Sequence, residues 1–167
     1  LSHAELLTTR PHLFADSMVF VSQAHLSRMA RTIAALERVA SLPAYRERVL
    51  AYASAVARHA PGAAGVFLGY DFHLGPDGPQ LIEINSNAGG ALLNARLLRA
   101  QRACCQAMAN RMPAGRPAEA AFVAMFRDEW ELGGRDASAR PLANIAIVDR
   151  APAEQYLAPE FELFRQL

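Results

Sequence analysis

Residues 65–90 read GVFLGYDFHLGPDGPQLIEINSNAGG and predict a β-hairpin that runs into a glycine-rich turn. Apolar and aromatic residues dominate positions 66–74 and recur at 81–84, and Gly-Pro-Asp-Gly lies between the two runs. Pro76 suits the first central position of a tight turn, and Gly78 can adopt the left-handed conformation that closes a three-residue loop. The fold class predicted from this stretch and its surroundings is α+β, with helices packed on a small antiparallel sheet and the start of an α/β unit after them.

The three-residue loop also predicts which residues of the hairpin face each other. If Gly75 lies opposite Pro79, the cross-strand pairs are Asp71 with Glu83, Phe72 with Ile82, and Tyr70 with Ile84. Because successive side chains of a strand point to opposite faces, one face of the hairpin is then apolar and the other is polar. The polar face carries Asp71, His73, Glu83 and Asn85, so the oxygen atoms of Asp71, Glu83 and Asn85 form one cluster.

Two carboxylates directly opposite each other predict a cation site. Asp71 and Glu83 repel each other at that spacing unless a cation lies between them. Mg²⁺, or Mn²⁺ in its place, suits this cluster because it takes oxygen ligands and is often held by one or two carboxylates together with substrate phosphates. The alternative is an ordinary solvated hairpin face. We therefore predict Asp71, Glu83 and Asn85 as metal ligands.

The end of the stretch predicts a place for an anion. Gly89 and Gly90 form a flexible turn that feeds a helical pattern, and the free amides at the start of a helix can receive a negative charge. Arg96, Arg99 and Arg102 follow at three-residue spacing, which places them on a single helix face. Arg96 lies nearest the turn and is the candidate for phosphate binding, against the alternative of a solvated helix face.

The segment DFHLGPDGPQLIEINSNAGG resembles the metal-binding hairpin of the ATP-grasp superfamily. The resemblance implies that Asp71, Glu83 and Asn85 hold Mg²⁺ against the phosphates of ATP, and that Asn87, Gly89 and Gly90 lie near the reacting phosphate and acyl groups. Because the hairpin comes before a possible α/β unit, the order of elements is similar to that of a circularly permuted ATP-grasp protein. Gly69 and Ala88 depart from the family pattern, which commonly has arginine and proline there.

An ATP-dependent carboxylate–amine ligase-like function follows from this resemblance, with ATP, a small carboxylate and an amine as substrates. No side chain of the chain is expected to act as a catalytic nucleophile. Two other classes of function stay open: a non-catalytic scaffold or oligomerisation domain that retains the hairpin, and a cation-binding module that does not use ATP. A homodimer is also left open.

The composition of the chain limits which partners and which cellular location can be expected. The chain has 167 residues, 52% of them hydrophobic, and a formal net charge of +1, which gives no reason to expect a nucleic acid or a membrane as partner. The adjacent Cys104 and Cys105 suit neither a disulfide framework nor a zinc site and favour a cytoplasmic location. All 17 basic residues are arginine. ATP-grasp enzymes hold ATP with lysines, so we expect those groups beyond residue 167 and weak nucleotide binding by this chain alone.

Hydrophobic periodicity divides the rest of the chain. It predicts helices at 22–41, from Pro43 to just before Pro61, at 91–110, at 118–132 and at 159–167, and a buried parallel strand at 142–149. The predicted divisions are a partial ATP-grasp lobe over 1–112 with its metal hairpin at 65–90, a linker and helix over 113–141, and the incomplete start of a pre-ATP-grasp-like α/β domain over 142–167.

Overall fold

Two strands and five α-helices make up the regular structure of residues 8–17, 19–104, 117–134 and 140–167, the parts of the chain that the computed structural model describes. Helices pack on a small antiparallel sheet, so the predicted α+β class is confirmed. These residues fall into two compact units. The hairpin unit is Val19–Asn87, and the helical unit consists of the described residues 8–17 and those from Ala88 onward. None of the helices in the described parts of the chain has the length and hydrophobicity that a membrane span requires.

The hairpin unit begins with two consecutive helices, α1 (Gln23–Ser41) and α2 (Pro43–Leu50). Ser22 caps α1, because its Oγ accepts a hydrogen bond of 3.1 Å from the backbone N–H of His25. Leu42 adopts an extended conformation before Pro43, as the residue before a proline prefers, and this separates the two helices. Helix α1 packs against the hairpin and against α2.

Helix α2 is shorter than predicted. It ends at Leu50, and only a short 3₁₀ turn, Ala55–Arg58, follows before the hairpin. The segment predicted to continue this helix is not packed, since Val56 is 79% exposed. A short helix gains most of its stability from burying one face, and this segment buries none.

The hairpin consists of β1 (Gly69–Gly75) and β2 (Gly78–Asn85). Gly75 pairs with Gly78, so the loop has two residues and the predicted three-residue loop is wrong. Gly78 does take the predicted positive φ, at 95°. A β-bulge lies between the Asp71 and Phe72 pairs. The observed pairs are Tyr70 with Ile84, Asp71 with Glu83, and Phe72 with Leu81, so the predicted pairing of Phe72 with Ile82 is also wrong.

The helical unit contains α3 (Ala91–Cys104), α4 (Ala118–Leu132) and α5 (Ala158–Arg165), and α3 packs against both of the others. Leu92 and Leu93 at the start of α3 are 1% and 5% exposed. The ring of Phe164 on α5 lies 6.4 Å from that of Phe122 and 6.1 Å from that of Phe126, both on α4. These apolar contacts hold the three helices together.

Residues 142–149 do not form the predicted strand. They have no regular secondary structure, and Ile145 and Val148 are 57% and 89% exposed. An apolar strand of this kind is stable only when neighbouring strands satisfy its backbone, and no neighbour pairs with it in the described part of the chain. The helix predicted at 118–132 has the predicted bounds, and the last part of the helix predicted at 91–110 lies outside the described residues.

Candidate metal and phosphate sites

The hairpin brings the three predicted metal ligands together. Asp71 lies directly opposite Glu83, and Asn85 is two residues further along the same strand, which puts it on the face of Glu83. Side chains that face each other in this way have Cβ atoms about 4.5–5.5 Å apart. Both carboxylates are exposed and Asn85 is half-buried, so the cluster is open to a ligand from outside.

This cluster has the donor chemistry of a magnesium site with open coordination positions. Two carboxylates and one amide oxygen supply three ligands, and phosphate oxygens or water can complete an octahedron. Among the described residues, no group of three His, Cys, Asp or Glu side chains converges on a point. The candidate site therefore depends on Asn85 as well as on Asp71 and Glu83. His73 belongs to the same face and is exposed.

The opposite face of the hairpin is in contact with α1. The Tyr70 hydroxyl donates a hydrogen bond of 3.3 Å to Oε1 of Glu37 on that helix. Burial raises the pKa of Tyr70, and the nearby charge of Glu37 and its hydrogen bond raise it further. Helix α1 thus fixes which face of the hairpin is packed, and it leaves the face with Asp71 and Glu83 free.

The glycine turn belongs to the helical unit, and its amides already bind an anion from the protein itself. Oε2 of Glu160 accepts a hydrogen bond of 2.6 Å from the N–H of Gly90, and Oε1 accepts one of 2.7 Å from the N–H of Leu92. Glu160 lies in the first turn of α5 and is only 3% exposed. Negative charge does lie at this turn, and it is supplied by the side-chain carboxylate of Glu160.

The turn is shaped to fit α5. Gly90 has a φ of 93°, which only glycine adopts easily, and its carbonyl accepts hydrogen bonds from the backbone and the side chain of Asn94. A Cβ atom at Gly89 would lie 2.6 Å from Cδ1 of Leu157 and 3.6 Å from Oε2 of Glu160. The absence of a side chain at Gly89 thus permits the close approach of α5.

Arg96, the predicted phosphate ligand, lies near an acidic side chain. Its Nε is 3.9 Å from Oε1 of Glu119 on α4, and Arg99 donates a hydrogen bond to the same oxygen. The Arg96 side chain is 46% exposed, so it keeps access to solvent. Oε2 of Glu119 is buried and has no hydrogen-bond partner in the described part of the chain. Asn87, the remaining predicted residue, is exposed at the end of the hairpin unit.

Glu160 and Glu119 were not predicted from the sequence. A signal for Glu160 does exist, because Leu157 and Phe164 lie three and four residues away on the same helical face, and an acidic residue on an apolar face needs a partner. That pattern indicates a buried carboxylate without saying which amides bind it. Glu119 has no comparable signal, since an acidic residue in the first turn of a helix is ordinary.

Comparison with known proteins identifies no relative of this chain. No protein-family model, no curated protein and no solved structure matches it. The hairpin cluster and the glycine turn are therefore the features of the chain that bear on its function.

Proposed function

We propose that this chain contributes a Mg²⁺ site and a glycine turn to an ATP-dependent carboxylate–amine ligase-like enzyme. The observation that carries the proposal is the direct pairing of Asp71 with Glu83, with Asn85 on the same face. In the described part of the chain, no basic side chain forms an ion pair with either carboxylate. Opposed carboxylates repel each other, so their pairing favours a bound cation. The resemblance of the surrounding sequence to ATP-grasp hairpins supports ATP as the second ligand.

In the proposed reaction an oxygen of the carboxylate substrate attacks the γ-phosphorus of ATP, and ADP leaves. The amine nitrogen then attacks the acyl carbon, phosphate leaves with its electron pair, and the nitrogen loses a proton. Asp71, Glu83 and Asn85 would hold Mg²⁺ or Mn²⁺, which when bound offsets the negative charge of the phosphates. The backbone amides of Gly89 and Gly90 would stabilise negative charge at the phosphate or acyl group. No protein nucleophile is required.

Calorimetric titration with Mg²⁺, in the presence and absence of ATP, tests the metal site. We expect Asp71→Asn and Glu83→Gln each to weaken Mg²⁺ binding by at least about tenfold, because loss of even an outer partner of a metal ligand has an effect of that size. Asp77→Asn is the matched control, since it removes an exposed carboxylate from the loop of the same hairpin. Equal Mg²⁺ affinity in all three variants and the original protein would refute the site.

A non-catalytic scaffold is the second candidate function, and one observation favours it. The amide of Gly90, which the proposed ligase would use for phosphate, donates to Glu160, as does the neighbouring amide of Leu92. The same titration separates the candidates. A scaffold binds neither metal nor nucleotide, and a simple cation-binding module binds Mg²⁺ with an affinity that ATP does not change. The proposed ligase component binds Mg²⁺ more tightly when ATP is present at a concentration high enough to saturate its weak nucleotide binding.

A further inference from the structure

Glu160 has an unusual position for a carboxylate. Only 3% of its surface is exposed, and both of its carboxylate oxygens accept hydrogen bonds from backbone amides. Neither oxygen has a basic side chain among its hydrogen-bond donors in the described part of the chain. Its charge is thus balanced by the N–H groups of Gly90 and Leu92 and by the positive end of the α3 dipole.

A phosphate and this carboxylate cannot bind the same amides together. Each N–H donates one hydrogen bond along its own direction, and both directions are taken by Glu160 at 2.6 and 2.7 Å. A phosphate oxygen at the same place would also meet the negative charge of Glu160 at close range, which is strongly unfavourable where water is excluded. The amides of Gly90 and Leu92 can therefore bind only one anion at a time.

We propose that Glu160 is an internal anion that closes the glycine turn, and that an external phosphate reaches Gly90 and Leu92 only when α5 withdraws this carboxylate. The proposal rests on the proposed function for the phosphate role of the turn. The close approach of Leu157 to Gly89 supports it, because the same segment that carries Glu160 lies against the turn. Helix α5 then acts as an autoinhibitory element whose release is a step separate from metal binding.

Amide NMR with inorganic phosphate as the probe tests this directly. In the original protein, phosphate leaves the Gly90 and Leu92 amide resonances unchanged, because Glu160 occupies both groups. Glu160→Gln removes the charge and keeps one acceptor oxygen, so these two amides respond to phosphate with an affinity at least about tenfold higher. The matched control is Glu162→Gln on the same helix, where the carboxylate is exposed and paired with Arg165. It behaves like the original protein.

A second variant covers the case in which Glu160→Gln unfolds α5. Glu160→Asp keeps the charge but is shorter by one methylene group, so it draws the carboxylate away from the amides, and we expect an intermediate phosphate response. Unchanged Gly90 and Leu92 resonances in both variants at saturating phosphate overturn the proposal. This result is independent of the test of the metal site. That site is tested by Mg²⁺ binding to the Asp71→Asn and Glu83→Gln variants, which change the other unit.

Discussion

At the scale of the residue, the contact between Tyr70 and Glu37 links ionisation to packing in the hairpin unit. The hydroxyl donates to the carboxylate only while it keeps its proton. Burial has the largest effect and raises the pKa of Tyr70. The negative charge of Glu37 and the hydrogen bond to it raise this pKa further. A raised pKa in the folded state means that the interaction stabilises the protein below the ordinary tyrosine pKa of about 10, and that this stability is lost as pH rises through the Tyr70 pKa.

Glu37→Gln is expected to lower the pKa of Tyr70, because it removes the negative charge that opposes ionisation of the phenol. The measurement is an absorbance titration of tyrosinate in the variant and in the original protein, with Tyr70→Phe to identify the Tyr70 signal. Glu47→Gln on the neighbouring helix is the control and leaves the titration unchanged. If the Glu37→Gln titration coincides with that of the original protein, the contact does not form in solution.

A second prediction at this scale concerns Gly90, whose φ of 93° is strained for any residue with a side chain. A Cβ atom there would also lie 3.4 Å from Nδ2 of Asn94. We expect Gly90→Ala to lower the free energy of unfolding by about 1–3 kcal/mol, measured by chemical denaturation. Gly75→Ala is the control, because a Cβ atom at that position meets nothing within 4 Å and its backbone is not left-handed. If Gly90→Ala lost no more unfolding free energy than Gly75→Ala, the turn would be able to change its backbone conformation without loss of stability.

At the scale of the element, Glu119 joins α4 to α3 through Arg99 and Arg96. Its pKa is lowered, first by a hydrogen bond from its own backbone amide and then by Arg99 and Arg96, while burial acts in the opposite direction. Stability from a carboxylate with a lowered pKa is present above the ordinary glutamate pKa and is lost as pH falls through the lowered value. The packing of α3 on α4 thus weakens in acid.

Glu119→Gln should remove part of this acid sensitivity. Thermal unfolding midpoints measured between neutral pH and about pH 3, below the ordinary glutamate pKa of about 4.3, are expected to fall less steeply in the variant than in the original protein. Glu131→Gln, an exposed change on the same helix, provides the control and keeps the original slope. Identical slopes for Glu119→Gln and the original protein would show that the ion pair does not couple the two helices.

The elements also show how far the sequence can predict this structure. The helix at 118–132 was predicted with its bounds because Pro117 and Gly133 delimit it and its apolar residues fit one face. In the hairpin, two errors cancel: the loop is one residue shorter than predicted, and the bulge at Ile82 adds one residue to β2, which restores the pairing of Asp71 with Glu83. Local turn preferences cannot predict a bulge, because it depends on packing and pairing across the whole hairpin.

Two other errors have a common physical cause. The helix after Pro43 and the strand at 142–149 were both predicted from apolar residues that suit a buried element, yet Val56 and Val148 are exposed. Periodicity reports which face could be buried, and it does not report whether anything covers that face. The binding of Glu160 to the glycine turn was not predicted for a similar reason. It joins residues 70 positions apart, and periodicity does not show which distant segments contact each other.

At the scale of the whole molecule, burial is distributed unevenly between the two units. In the hairpin unit, all of which the structure describes, only Gly78 and Pro79 are buried, and α1 has no buried residue. The helical unit has a small core at Leu92 and Leu93. A unit with so little buried apolar surface opens locally at a low free-energy cost. Any ligand that binds only its closed form should therefore have a large effect on its dynamics.

Magnesium is expected to have this effect on the hairpin unit. A ligand that binds only the folded state stabilises it by RT ln(1 + [L]/Kd), about 2.7 kcal/mol at a concentration of 100 Kd. With Mg²⁺ at that excess, backbone amides of β1 and β2 should exchange with deuterium up to about 100-fold more slowly, as followed by mass spectrometry, and those of α3 should be unaffected. Asp71→Asn abolishes the protection because one of the two opposed carboxylates is lost, whereas Asp77→Asn retains it. Protection of the strands that persists in Asp71→Asn would place the metal elsewhere, and protection in neither protein would leave the paired carboxylates as a solvated face.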